Sequence, residues 1–400
     1  YFKTTNAYID DSVNNQTKIT KGISMNLEQT AGAGDYKTVT RSSWPTEGYK
    51  FNAELSRCEN GSTLSWDDTK KAVIVSGNLS DKCYVYFDIY QPTLAEYIKS
   101  QYTGTQGENS LYYHNSSLTN GAGDNSYRYA GASDSVNNYI CLGSDEATCP
   151  DANLFRIIGV FGDKTKVIRA KSVGNQKWHT SESNTWSSSS LNAYLNGTYL
   201  TSLGTIAEKI ATTTWKVGGC SWSNIETSVP KIVYKNEVGS SASTTTVDKK
   251  IGLMYISDYY YSASPSAWTL VGYNKSDATK DYSAAKTINW LYLGSKEWTI
   301  SRVSDETFSA FIVDGSGHVF SYNVNFSNFA VRPSFNLDST VTYVSGDGTK
   351  SNPIRINWLT DSFEKTPVKP GQNGVKSLTY VERITSFFVL WCGYNRCKYG

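Results

Sequence analysis

The segment from Trp298 to Phe335 limits the architecture of this chain more tightly than any other. Two strand-length runs, Phe308 to Val313 and His318 to Val324, flank Asp314-Gly315-Ser316-Gly317, a turn in which two glycines are free to take positive φ. That arrangement predicts a β-hairpin. Asn325, Phe326, Ser327, Asn328 and Phe329 follow, alternating polar side chains with aromatics before Val331-Arg332-Pro333. Stiff aromatic rings beside adaptable amides resemble the chemistry of a binding surface; the same pattern also fits an ordinary sheet whose aromatics enter the core. Alternation lets only about half of 318–324 face one side, and Arg332 is expected as a buried hydrogen-bonding anchor.

Composition narrows the function classes. Charged residues make up 18% and aromatics 14% of the 400 residues, with 29 tyrosines, a balance common in secreted β-rich proteins that work at surfaces. The formal net charge of +2 supplies no basic stripe, so nucleic acid is discarded as a partner. The longest apolar run, Phe387 to Trp391, is far short of the roughly 20 residues a spanning helix needs. Contact with a membrane is expected only through an anchor upstream of Tyr1. None of the seven cysteines has CxxC spacing. In an oxidising compartment, local neighbours predict disulfides between Cys58 and Cys83, Cys141 and Cys149, and Cys392 and Cys397; free thiols in a reducing cell are the alternative. Cys220 is left unassigned.

Residues 1–91 read as a small β module, with strand-like runs at Ala72 to Val75 and Cys83 to Phe87. With few large apolar residues, such a module needs the Cys58 to Cys83 staple. Pro92 to Tyr102 spaces Leu94, Tyr97, Ile98 and Tyr102 as a helix does, with Thr93 as N-cap, and 92–107 are assigned as a helical linker between domains. Gly104 to Gly123 reads as a polar loop in which Leu111-Tyr112-Tyr113 can dock. Phe155 to Val160 and Lys166 to Ala170 predict paired strands turning on Gly162-Asp163-Lys164. Trp186 to Leu200 predicts a short helix capped by one of four serines, and Gly239 to Thr246 a mobile loop. Pro367, Pro370 and Gly371 mark 358–400 as a tail of unassigned role.

Five ordered motifs, Asn137 to Gly143, Leu154 to Ala170, Trp186 to Leu200, Ile251 to Tyr261 and Phe329 to Phe335, together with Ser345 to Ile356, resemble a bacterial family of C-type-lectin-like domains of unknown function. That family is related in fold to formylglycine-generating enzymes and to retroelement-diversified variable proteins. The resemblance covers about 108–357. It implies an α+β fold, a C-type-lectin-like domain preceded by the small disulfide-stapled β domain.

Catalysis finds little support. Formylglycine-generating enzymes hold copper with a cysteine pair near the C-terminal core strands, and 251–335 contain no cysteine. His114, His179 and His318 lack the short spacing of a metal site. No nucleophile elbow, phosphate loop, dinucleotide fingerprint or EF-hand loop occurs, nor do the Glu-Pro-Asn and Trp-Asn-Asp sequences of calcium-dependent lectins. No catalytic residue, metal or cofactor is assigned. The expectation is a secreted or surface-anchored protein, bacterial or phage-borne, that is not an enzyme and binds a cell-surface glycan or protein. Its ligand contacts are expected among Trp298, Arg302, Phe308, His318, Phe320, Tyr322, Asn323, Asn325, Phe326 and Asn328. The asparagines of 322–328 also resemble the variable segments of diversified proteins. Rival readings are a structural pilus-like or surface-filament subunit and an oxidoreductase of the formylglycine-generating type.

Overall fold

The computed structural model describes residues 49–77, 82–326 and 328–357, with the backbone of three short strands, Phe2–Lys3, Met25–Glu28 and Tyr36–Val39. The expected Cys392–Cys397 pair and the 358–400 tail lie outside the described residues. The architecture is mixed α and β, with most regular structure in antiparallel sheets. Two compact units divide at Gln91, the second being Pro92–Thr360.

In the first unit, Thr63–Asp67 and Ala72–Ser76 form a hairpin. Asp67 accepts the backbone N–H groups of Thr69 and Lys70 in its turn at 3.0 and 2.9 Å. Arg57–Cys58 pairs with Lys82–Tyr84 so that Cys58 stands opposite Cys83, and the two form a disulfide as expected. Their neighbours Val85 and Phe87 are buried, with Phe51 and Trp66 packed edge-on against Phe87. So small a core leaves much of the stability to the covalent link.

The second unit is built on two sheets. The first has seven strands: Leu111–Tyr113, Tyr127–Tyr129, Leu154–Phe161, Lys164–Arg169, Ser334–Leu337 and Ile251–Gly252 in that order, with Tyr139–Cys141 also paired to Leu154–Phe161. Leu111–Tyr113, expected to dock from a loop, is thus a strand. The second sheet orders Asn175–Gln176, Phe329–Ala330, Glu297–Arg302, Ser309–Val313 and Val319–Asn323. The last two are the expected hairpin, with Ser309 opposite Asn323 and Val313 opposite Val319. In its turn only Gly317 takes positive φ, at 93°; Asp314 accepts the N–H of Ser316 and of His318 at 2.8 and 3.1 Å. Cys141 and Cys149 form the second disulfide.

The helix Leu94–Ser100 starts at a Thr93 and Glu96 capping box. It buries Leu94, Ala95 and Ile98 in this unit's core, so the segment expected as a linker is packed structure. Its approach is fixed from the other end of the unit: Leu94 N–H donates to Val341 O (2.7 Å), Tyr343 N–H to Pro92 O (2.9 Å) and Asn357 N–H to Thr342 O (3.1 Å). The Tyr97 and Tyr343 rings stack at 3.6 Å. Ser189 proves to be the capping serine, accepting Asn192 N–H at 3.1 Å. The helical run it starts, Ser190–Tyr194, widens to a π-turn at Leu195–Tyr199. There Asn196 bonds both backbone groups of Ile251, at 2.8 and 2.9 Å, and so satisfies an edge of the first sheet. The stretch 218–250, in which only a loop at 239–246 was expected, contributes helices Trp222–Thr227 and Pro230–Glu237 and the strand Thr246–Lys249, which pairs with Thr213–Lys216.

Six tryptophans, at 178, 186, 215, 268, 290 and 298, are fully buried. Five of their indoles donate to backbone carbonyls: Trp178 to Thr299, Trp215 to Lys249, Trp268 to Ala263, Trp290 to Tyr129 and Trp298 to Gln176. These five rings therefore supply buried area without stranding a polar atom, whereas the buried Trp186 indole has no hydrogen-bond partner among the described residues. Arg332 is the buried anchor expected. Its Nε and Nη2 clasp Glu297 at 2.6 and 2.8 Å, and Nη2 also reaches Leu291 O at 2.6 Å. Burial pushes the Glu297 carboxyl up, and Arg332 pulls it back.

Arg332→Met is expected to lower the stability of the second unit by about 3–5 kcal/mol, because Glu297 is left buried and unpaired. Adding Glu297→Leu should recover most of that loss, as read by urea unfolding. Replacing Cys58 and Cys83 by serine should cost the first unit about 3 kcal/mol, seen as a lowered thermal midpoint for that unit alone.

Candidate functional site

Val319–Asn323 is the outermost strand of the second sheet, and alternation puts His318, Phe320 and Tyr322 on one side of it. Their rings belong to a continuous aromatic row. Tyr273 packs against His318 (5.4 Å between centroids) and Phe320 (5.3 Å), Trp222 stands edge-on to Phe320 (5.1 Å), Phe320 meets Tyr322 (6.2 Å), and Tyr322 meets Phe329 (5.0 Å). Phe329 in turn touches buried Trp298 at 5.0 Å. Exposed Lys296 lies over the Tyr322 ring, 4.4 Å from its centroid, and donates to the Tyr322 hydroxyl at 2.8 Å. That hydroxyl keeps its own proton to donate. Phe326, in the turn after the strand, is 81% exposed, and Phe308 is 40% exposed. The two are close along the chain's path, because Val324 N–H donates to Phe308 O at 2.9 Å.

The remaining expected contacts divide. Trp298 is wholly buried with its indole bonded, and it belongs to the core because its strand, Glu297–Arg302, runs between two others and is covered on both faces. Arg302 is half-buried, its guanidinium directed to Gly218 O (3.1 Å) and Asn184 Oδ1 (3.3 Å), so it fastens loops rather than facing a ligand. His318 is largely buried between two carboxylates, Nε2 at 3.1 Å from Asp281 and Nδ1 at 3.5 Å from Asp314. Asp281 also accepts from Asn274 N–H and from both donors of Ser283, so this cluster ties the hairpin turn to 274–283. Asn323 reaches Glu182 at 3.3 Å and accepts Asn325 N–H at 3.2 Å. Asn325 is half-buried, and Asn328 is exposed beside the Phe326 turn. The site that remains joins Phe308, Phe320, Tyr322, Asn328 and Phe326 to Trp222, Tyr273, Lys296 and Phe329. Trp222, Tyr273 and Lys296 come from distant segments, and no spacing rule links them to the hairpin, whereas Phe329 directly follows Asn328.

A separate, small polar cleft is lined by Tyr97, Gln101, Asn109, Ser110, Tyr129, Ser135, Asn137, Asp347 and Ile354. Asn109 and Ser110 are consecutive left-handed residues on its wall, at φ 54° and 59°. None of the expected contacts lines it. Among the described residues no group of three or more His, Cys, Asp or Glu side chains is arranged to hold a metal ion. Cys220 is the free cysteine among them, buried, with its thiol pushed up by that burial. No helix among them is long and apolar enough to cross a membrane.

Residues 162–339 match a family described as Domain of unknown function (DUF6273). The matched stretch contains the entire aromatic row, Arg332 and the hairpin, whereas every residue lining the cleft lies outside it. No curated protein matches the chain, and no solved structure does.

Phe326→Ala should leave stability within about 0.5 kcal/mol of the parent, while Trp298→Ala should cost about 3–5 kcal/mol. Parallel urea titrations of the two variants check the assignment of one to the surface and the other to the core.

Proposed function

We propose that this chain is a non-enzymatic extracellular recognition protein. In this reading its second unit is a C-type-lectin-like domain that binds a cell-surface glycan or protein through the aromatic row of the second sheet. The observation that carries the reading is the exposure of Phe326 and Phe308 next to a row of half-buried rings. A folded chain gains nothing by holding a phenylalanine almost wholly in water, and aromatic groups fixed by their neighbours lose little freedom when a ligand covers them. Lys296 and the free proton of the Tyr322 hydroxyl supply directional bonds at the edge of that apolar area, the division of labour usual in a recognition site. Two disulfides agree with an oxidising, extracellular setting. The ordered motifs behind the family resemblance all fall within Pro92–Thr360.

The test is binding of the purified chain to a glycan array and to whole bacterial cells, beside a Tyr322→Ala/Phe326→Ala variant with an unchanged circular dichroism spectrum. The expected result is specific binding weakened at least tenfold in the variant, as truncation of central aromatic anchors does. Retained binding would move the site elsewhere, and the absence of any binding by the folded parent would overturn the reading.

A further inference from the structure

Lys166 and Asp258 meet in the interior of the second unit. Lys166 is on the strand Lys164–Arg169 and Asp258 in the first turn of the helix Ile256–Tyr261. Their side chains are 6% and 2% exposed, and Nζ lies 2.5 Å from Oδ2. Nζ has no other hydrogen bond among the described residues and otherwise faces rings, with the centroids of Tyr255, Trp215 and Phe161 at 4.5, 5.4 and 5.7 Å. The Tyr255 backbone N–H donates to the same Oδ2 at 2.8 Å.

Two opposite charges held this deep lose their hydration, and the ammonium has one hydrogen-bond acceptor for three protons, its remaining compensation coming from the three ring faces. Burial pushes the Lys166 amine towards its neutral form, against the pull of Asp258. Passage of one proton from Nζ to Oδ2 leaves an uncharged amine touching a carboxylic acid, with no solvent between them. Fixed contact of this kind replaces the encounter of two separate reactants, and the Tyr255 N–H holds Oδ2, the oxygen that departs.

We propose that Lys166 and Asp258 condense to an isopeptide bond that covalently joins the strand to the helix. The Nζ lone pair attacks Cγ and the Nζ–Cγ bond forms. The Cγ–Oδ2 bond breaks, and Oδ2 departs as water with the proton it received and one further amine proton. An ammonium and a carboxylate thus become an amide and a water, with nothing oxidised or reduced. The product leaves one N–H and one C=O where two charges were buried.

Mass spectrometry of the intact, purified full chain with its disulfides reduced decides the matter. The expected mass is one water below that of the sequence, and digestion should release a branched peptide linking Lys166 to Asp258. Lys166→Met and Asp258→Ala should each restore the sequence mass, and Asp258→Asn should lose ammonia instead of water. A parent chain at full sequence mass, or one yielding only linear peptides with unmodified Lys166, overturns the proposal. The parent measurement suffices even if the variants do not fold.

Discussion

Between Ala330 and Ser334 the chain leaves the second sheet and enters the first, and Arg332 sits at the crossing. Its guanidinium holds Glu297, at the start of the central strand of the second sheet, and the carbonyl of Leu291. A bidentate pair between planar groups tolerates little rotation, so the bond sets where one sheet begins relative to the other. Neither charge can be given up singly, because the partner would remain buried without compensation. The hairpin is in turn paired to the strand that begins at Glu297.

Much of the local structure was legible in the sequence, because period-two runs, turn residues and caps are local signals. The hairpin, the strand pair around Gly162, the helix at Thr93 and the two described disulfides all came from such signals. Burial was harder to read. Trp298 and Phe320 are both aromatics in strands, yet only the first belongs to a central strand with a neighbour on each side; sequence spacing cannot report how many strands lie beyond. The helices and strand within 218–250 escaped for another reason. Thr213–Lys216 and Thr246–Lys249 are polar strands whose pairing depends on partners thirty or more residues apart. Lys296 and Tyr273 were missed likewise, since only the folded sheet brings them to Tyr322.

The aromatic row also explains how one surface can be both apolar and rigid. From Tyr273 to Phe329 each ring rests on another at 5.0 to 6.2 Å, and the inner end of the row is fixed to Trp298, whose indole is bonded to Gln176. Side chains supported in this way keep their rotamers without a ligand. Phe326 has no such ring contact among the described residues and is 81% exposed, so the rim adapts while the floor does not.

Where the second unit begins and where its described chain ends, the backbone meets at one point, with Pro92 and Asn357 both bonded to Thr342–Tyr343. Tension applied to flanking sequence on the two sides would therefore act across this small junction and not along the sheets. The junction is made of a few backbone bonds and the stacked Tyr97 and Tyr343 rings. The aromatic row would stay unloaded until that junction gave way.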